Sequence, residues 1–160
     1  MKTIKKVSLI ICISLLLASF TEEKGNSFIF PINEKFNPKI TSEFGIKKHP
    51  ILKVEKMHKG IDIIADENAN IQSVGKGKVI EISENDSKYG KYVIIEHKNK
   101  LKTFYAHLNS ISVEKNQTVN SGEKIGIIGK SGRTISEQLH FEVLKNGKSL
   151  NPLEFIVVKK

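Results

Sequence analysis

Residues 138–143 read QLHFEV, a segment in which polar and apolar side chains alternate at every position. A related pattern occurs upstream in residues 57–65, MHKGIDIIA, where His58, Gly60 and Asp62 occupy alternate positions. Successive side chains of a β-strand point to opposite faces. Both segments are therefore predicted to be strands that bury one row of apolar side chains and present a row of metal ligands or proton-transfer groups on the other face.

The chain has a β pattern from Ile40 onward. Short runs rich in Val, Ile, Tyr and Phe are separated by clusters that contain Gly, Asn or Ser. Asn146-Gly147 predicts a type I′ hairpin turn, because both central positions need positive φ, and a second tight hairpin is predicted around Asn99-Lys100. Beyond the first twenty residues we expect few or no helices, with a single turn near Glu137. The predicted fold is all-β, a mostly antiparallel sandwich or small barrel.

The domain organisation follows from length and hydropathy. A chain of 160 residues with 39% hydrophobic content is predicted to form one compact domain, here residues 39–157, preceded by an extended lead-in at 21–38. Residues 1–20 are predicted to be an export signal, with a basic start and an apolar run at 7–20 that is shorter than the ~20 residues of a membrane span. Cleavage is expected near Ser19 or Phe20, and an uncleaved anchor is the alternative.

Charge and cysteine content narrow the classes of ligand. The only cysteine, Cys12, lies in the signal, so we expect no disulfide and no thiolate metal ligand in the mature domain. Removal of the three signal lysines leaves 23 basic against 17 acidic residues, a net charge of +6. This excess suits an anionic envelope polymer or membrane surface, although solubility explains it equally well. Nucleic acid is not expected, because the lysines are scattered and no aromatic platform accompanies them. We expect a monomer.

His58, Asp62 and His140 are the candidate metal ligands. His58 and Asp62 are four residues apart, and on one extended stretch they would face the same way, with Gly60 leaving room for a metal. Each residue taken alone is better explained by an ordinary surface or hydrogen-bonded position. Two imidazoles and a carboxylate brought together suit a zinc site that keeps a fourth position open for water.

The other histidines are predicted to play different roles. Within TFYAHL, the residues Thr103, Tyr105 and His107 are predicted to share one face of a strand. His49, in a turn before Pro50, and His97, at a strand end, are not placed at the metal. Tyr89 and Tyr92, which flank Gly90, are predicted to be packing or hairpin residues.

Four segments in order along the chain carry the strongest functional signal: ITSEFGIKKHP, MHKGIDIIA, YAHL and LHFEV. Together they resemble the lysostaphin-like (LytM-type) zinc endopeptidase family, which cleaves peptidoglycan peptides. The resemblance extends from about Ile40 to Leu153. It implies an all-β domain of the duplicated hybrid motif type, a zinc ion held by His58, Asp62 and His140, and His107 beside the attacking water.

The sequence departs from the family pattern at Gln138, which stands where the family has the first histidine of His-x-His. A glutamine amide donates hydrogen bonds but does not accept and release a proton near neutral pH. Zinc binding is expected to survive, and proton transfer would fall to His107, with Glu142 nearby. Loss of a general acid-base group typically costs about 10²–10⁴ in rate, less if the amide stabilises the developing oxyanion.

These observations predict an exported zinc endopeptidase, located in the periplasm, the cell envelope or the medium, that hydrolyses peptidoglycan peptides. A catalytically weak or inactive wall-binding or regulatory protein is the alternative, and Gln138 is the residue that favours it. A third class, the sugar-phosphotransferase phosphocarriers of related architecture, is disfavoured by the predicted export signal, since their phosphodonors are cytoplasmic.

Overall fold

The computed structural model describes residues 28–48 and 53–157. The predicted signal with Cys12, the first part of the lead-in, and His49 lie outside the described residues. Among the residues that are described, no helix has the length and apolar character needed to cross a membrane.

The described chain is built from β-strands. Three short 3-10 turns are its only helical segments: Glu34–Phe36, Lys98–Lys100 and Pro152–Glu154. All ladder pairings are antiparallel. The predicted all-β, mostly antiparallel fold is therefore confirmed. The strands are β1 (Lys39–Ser42), β2 (Gly45–Lys48), β3 (Glu55–His58), β4 (Ile61–Ile64), β5 (Asn70–Gln72), β6 (Gly77–Asp86), β7 (Gly90–Glu96), β8 (Leu101–Leu108), β9 (Ser110–Ile111), β10 (Thr118–Val119), β11 (Lys124–Ile127), β12 (Leu139–Lys145) and β13 (Lys148–Leu150).

The strands form one large sheet and two small ones. The large sheet has the order β1-β4-β12-β8-β7-β6-β10, and β13 also pairs with β12. A three-stranded sheet has the order β5-β11-β9, and β2 and β3 form a separate two-stranded sheet. Because β4, β12 and β8 are neighbours, residues far apart in sequence meet at the centre of the large sheet.

The core lies on one face of this central region. Phe141 is the register partner of both Ile61 on β4 and Tyr105 on β8, and all three side chains are fully buried. The Tyr105 hydroxyl accepts a hydrogen bond from the backbone N–H of Val74 at 3.1 Å. Burial of an apolar side chain such as Ile61 or Phe141 contributes about 1.5–3 kcal/mol to the free energy of folding. The predicted inward apolar row is confirmed for Ile61, Phe141 and their alternate neighbours.

The described part of the lead-in packs against this core. Phe28 and Ile32 are buried, and Ile32 forms an isolated antiparallel bridge with Ile71. The backbone of Phe28 exchanges hydrogen bonds with Phe155 and Val157, each 2.8 Å long. The two ends of the described chain are thereby joined to each other.

Both predicted hairpin turns are confirmed. Asn146 and Gly147 have φ values of 50° and 77°, and they connect the paired residues Lys145 and Lys148. Asn99 and Lys100 also have positive φ, 59° and 58°, between β7 and β8. The segment around Glu137 forms bends rather than a helix.

The link between β3 and β4 corrects one expectation and gives a structural reason for Gly60. His58 ends β3 and Asp62 lies in β4, so the two residues do not share one continuous strand. Gly60 lies between the strands and is buried. A Cβ atom at this position would overlap the backbone carbonyl of Phe141 on β12. Gly60 is therefore required for close backbone packing, a reason that the sequence pattern does not predict.

We expect Gly60→Ala to destabilise the fold, because the overlapping atom belongs to backbone and cannot rotate away. Overpacking of this kind costs about 1–3 kcal/mol. Chemical denaturation monitored by circular dichroism measures the loss. Lys59→Ala, at the neighbouring exposed position, is the control and should change stability by less than about 0.5 kcal/mol. Equal stability of the two variants would contradict the packing argument.

Candidate metal centre

The centre of the site is a pair of residues that the sheet register places side by side. His140 on β12 is the register partner of Asp62 on β4. Directly opposed residues of antiparallel strands project from the same face. The His140 Nδ1 and Asp62 Oδ1 atoms are 2.7 Å apart.

His58 reaches the same point from the two-stranded sheet. Its Nε2 atom lies 3.3 Å from Asp62 Oδ1 and 3.3 Å from His140 Nδ1. One ligand atom from each of the three residues lies within 4.8 Å of the other two. The structure thus brings together all three residues that the sequence predicts as metal ligands.

The hydrogen bonds behind the two imidazoles indicate which ring nitrogens carry protons. His58 Nδ1 is 2.8 Å from the backbone carbonyl of Glu43, and His140 Nε2 is 3.1 Å from Glu142 Oε1. Both partners are acceptors, so these two nitrogens donate, and the tautomers follow from the hydrogen-bond network. In the neutral rings, the lone pairs of His58 Nε2 and His140 Nδ1 then point towards Asp62.

When both rings are neutral in these tautomers, His58 Nε2, His140 Nδ1 and Asp62 Oδ1 all present lone pairs to one point. This arrangement is repulsive unless a proton or a metal ion lies among them. Ligand atoms about 2.0–2.1 Å from a tetrahedral ion are roughly 3.3 Å from one another, which matches the two separations of 3.3 Å made by His58 Nε2, whereas Asp62 and His140 are closer, at 2.7 Å. Two imidazoles and a carboxylate are also the donor types that zinc accepts. The residues present fit a zinc ion.

The electrostatics of the cluster keep its carboxylate ionised. Burial would raise the pKa of Asp62, but hydrogen bonds with His140 and His58 outweigh it and hold the pKa well below its usual range. Burial would lower the pKa of His140, and its bonds to Asp62 and Glu142 raise it above the ordinary value. Because a proton on His140 would compete with a metal ion for the same nitrogen, any metal bound here would be held less tightly as the pH falls.

His107 lies beside this cluster for a reason that strand alternation does not predict. Its φ is 64°, and the register of β7 with β8 shifts between Lys91 and Val93. Tyr105 points into the core, whereas the His107 ring lies 6.1 Å from the His140 ring. The prediction that Thr103, Tyr105 and His107 share one face is therefore wrong for His107, because a left-handed residue at a bulge reverses its direction.

The environment of His107 suits a proton acceptor. Its Nδ1 atom donates to the backbone carbonyl of Ser131 at 2.7 Å, which leaves the lone pair on Nε2. Burial lowers the pKa of the imidazole, and the hydrogen bond to Ser131 opposes this effect only in part. His107 is therefore neutral near pH 7 and can accept a proton at Nε2.

Gln138 lines the same cleft, just before β12. Its backbone N–H bonds to the carbonyl of Gly129 at 2.9 Å, and its side-chain Oε1 accepts from Ser136 Oγ at 3.1 Å. Within the described residues no acceptor is found for its two amide N–H groups. The side chain is held by its oxygen and has its donors available.

Two further residues belong to the site. Tyr89, predicted to be a packing or hairpin residue, lines the cleft and stacks on His140 with ring centres 5.8 Å apart. Glu142 is 4% exposed and receives a bond from Ser149 Oγ at 3.3 Å as well as from His140. Alternation places Glu142 on the face of His140, and that signal could have identified its role. Tyr89 lies in a turn, where alternation gives no information.

These residues line an open cleft of about 370 Å³. His97 is not part of it; that ring is buried elsewhere and bonds to Thr103 Oγ1 at 2.7 Å. The full lining is Ser42, Lys47, Lys56, Met57, His58, Lys59, Asp62, Lys88, Tyr89, His107, Arg133, Gln138, His140 and Glu142.

A two-histidine, one-carboxylate cluster with a neighbouring neutral imidazole, in an open cleft of a β domain, is typical of hydrolytic metal centres. The sequence profile of peptidase family M23 matches residues 56–152. The chain belongs to peptidase family M23.

Similar proteins agree with this assignment. The chain is 36% identical over 132 residues to the DD-carboxypeptidase/endopeptidase Mpg of Neisseria meningitidis, covering 82% of this chain and 30% of that protein. A zinc-containing peptidase from Vibrio cholerae is similar in structure, with a TM-score of 0.73, 36% identity, and coverage of 79% of this chain and 39% of that chain. The murein hydrolase activator NlpD of Salmonella dublin is 36% identical over 99 residues, which cover 62% of this chain and 26% of that protein. The chain thus spans about a third or less of the curated relatives named here.

We expect Glu142→Ala to weaken zinc binding about 10–100-fold, the usual effect of removing a carboxylate that orients a ligand histidine. Glu142→Gln should lose less than about 10-fold, because its amide oxygen still accepts the His140 N–H. Competition with a chromophoric chelator measures both affinities. Glu154→Ala, which removes an exposed carboxylate outside the cleft, is the control. Unchanged affinity in Glu142→Ala would contradict this role.

Proposed function

We propose that the protein is a zinc-dependent endopeptidase that hydrolyses peptide bonds in peptidoglycan. The observation that carries this proposal is the convergence of one ligand atom each from His58, Asp62 and His140 beside the His107 ring, which lies 6.1 Å from the His140 ring, in a family M23 chain. Relatives named as peptidoglycan DD-endopeptidases support peptidoglycan as the substrate.

In the proposed mechanism, His58, Asp62 and His140 hold the zinc ion. When bound, zinc would polarise the scissile carbonyl and lower the pKa of a water molecule. His107 takes a proton from the attacking water at Nε2 and returns it to the leaving amine. The Ser131 carbonyl fixes the ring so that the same nitrogen performs both transfers.

Gln138 would act as a hydrogen-bond donor rather than as a base. Ser136 holds its amide oxygen, so an N–H can be directed to the oxygen of the scissile carbonyl as charge develops there. The amide cannot relay a proton. His107 is therefore the one base that we assign to the cleft.

The proposed substrate requires that the protein act outside the cytoplasm. Residues 1–20 have the composition of an export signal, and the relatives that name murein or act as DD-endopeptidases point to the cell envelope. We propose that the mature domain is exported and reaches peptidoglycan in the envelope or the medium.

A second candidate function is that of a non-catalytic wall-binding or regulatory domain. Gln138, at a position where a proton-transfer histidine is expected, favours this alternative, and one similar protein is named as an activator of murein hydrolases. The preserved metal cluster and His107 favour the enzyme. Hydrolysis by the zinc-loaded domain distinguishes the two.

We expect one zinc ion per chain, and His140→Ala should remove most of it, because two ligands with an open cleft do not retain the ion. Elemental analysis after dialysis measures the metal content. His97→Ala, which changes a histidine outside the cleft, should keep its zinc if it remains folded. Wild-type metal content in His140→Ala would show that the ligand assignment is wrong.

We expect Gln138→His to raise peptidoglycan hydrolysis about 10-fold or more, equivalent to ~1.4 kcal/mol of barrier, by restoring a second proton-transfer group. His107→Ala should abolish activity in the natural protein. Neither change should alter zinc content. Product release from purified peptidoglycan, with and without chelator, is followed by mass spectrometry.

Two results would contradict this proposal. Activity that survives His107→Ala would place the base elsewhere. If the natural protein and Gln138→His both bind zinc and wall material but release no product, the regulatory function replaces the enzymatic one.

A further inference from the structure

The cleft around the metal cluster is lined by five cationic side chains, all of them exposed. They come from separate parts of the chain: the β2–β3 hairpin, the β3–β4 link, the β6–β7 turn and the loop before β12. Their convergence is a property of the fold and is not visible in the sequence. These residues, the cationic rim, are Lys47, Lys56, Lys59, Lys88 and Arg133.

The cationic rim accounts for most of the charge imbalance of the described chain. Residues 28–48 and 53–157 contain 20 Lys and Arg against 15 Asp and Glu. Five of the cations and two of the carboxylates line the cleft. Elsewhere the described surface carries 15 cations against 13 anions, which is nearly balanced. The excess positive charge is therefore concentrated around the metal cluster.

The two carboxylates of the cleft do not neutralise this rim. Asp62 is directed to His58 and His140, and Glu142 is bonded to His140 and Ser149. Within the described residues no cation of the rim lies within ion-pair distance of an acidic group. A zinc ion would add to the positive potential.

Three members of the rim have local contacts of their own. Lys88 Nζ is 2.7 Å from the Tyr89 hydroxyl and 4.2 Å from the centre of its ring, so its partners are a hydroxyl and a ring rather than a carboxylate. Lys47 and Lys56 are register partners, but a similar lysine pair, Lys145 and Lys148, lies outside the cleft. A cross-strand lysine pair therefore does not by itself indicate a binding surface, whereas the convergence of five cations around the metal cluster does.

From this charge distribution we infer that the cleft selects anionic peptides, namely peptidoglycan peptides whose side-chain or terminal carboxylates are free rather than amidated. This inference rests on the proposed function. A cleft of about 370 Å³ admits a peptide segment, and cations surrounding the reaction centre can contact carboxylates on both sides of the scissile bond. A long polyanion would bind better to a positively charged face that extends beyond the cleft. The described surface outside the cleft instead carries nearly equal numbers of cations and anions.

A matched pair of substrates and a matched pair of variants test this inference. The substrates are a cross-linked peptidoglycan peptide dimer with free carboxylates and the same dimer converted to carboxamides. The cleft variant combines Lys47→Gln, Lys56→Gln and Arg133→Gln. The control combines Lys124→Gln, Lys145→Gln and Lys148→Gln, which removes equal charge, including a cross-strand pair, at exposed positions outside the cleft.

We expect the natural protein to have a higher kcat/KM for the free-carboxylate dimer, and the cleft variant to lose this preference by a factor on the order of 10, mainly through KM. The preference should also decrease at high salt, because exposed charges are screened. The control variant should retain it. Equal turnover of the two dimers by the natural protein, or equal losses in both variants, would overturn the inference.

The design separates this inference from the proposed function. If no form of the protein cleaves either dimer, the proposed hydrolytic function is wrong. The selectivity for free carboxylates is then tested by calorimetry, from the affinities of the zinc-loaded variants for the two dimers. Tighter binding of the free-carboxylate dimer, lost only in the cleft variant, supports it. If the cleft variant loses affinity for an anionic wall polymer while its peptide preference is unchanged, the ligand of the rim is a polymer and the inference is wrong.

Discussion

The antiparallel pairing of β4 with β12 is the constraint on which the rest of the structure depends. It places Asp62 opposite His140 on one face and Ile61 opposite Phe141 on the other. The apolar row fixes the register, since a slip of one residue would bury the metal ligands and expose the core. The core therefore maintains the geometry of the site, and Gly60 allows the adjoining link to lie against the same strand.

Much of the fold could be predicted from the sequence, because it depends on alternation and turn chemistry, and alternation also places Asp62 and His140 on the polar faces of their strands. His58 ends a separate strand, so its place in the cluster is predicted from the family resemblance and not from alternation. The apolar rows of β4 and β12 and the Asn146-Gly147 turn follow from local rules that the chain obeys. His107 does not obey them, since a bulge between β7 and β8 reverses its direction. The cationic rim could not be predicted either, because its residues meet only through long-range strand pairing.

Gln138 lies in the cleft but is not one of the three candidate metal ligands, so its identity bears on proton transfer and not on metal binding. The metal cluster is complete without this residue, and Glu142 orients His140 from behind. Gln138 itself is fixed through its oxygen by Ser136 and exposes only donors. In the proposed mechanism, a substitution of Gln138 would change how charge and protons are handled during the reaction, while the proposed zinc ligands would stay in place. For this reason metal content and turnover report on different parts of the site.

The left-handed backbone of His107 limits how far the protein can be stabilised without loss of the imidazole. A non-glycine residue in this conformation carries about 1–2 kcal/mol of strain, and glycine or asparagine adopts it more readily. Replacing His107 by either would relax the backbone and remove the imidazole at the same time. Selection for thermal stability alone would therefore discard the group that we propose transfers protons, so stability and turnover would be opposed at this position.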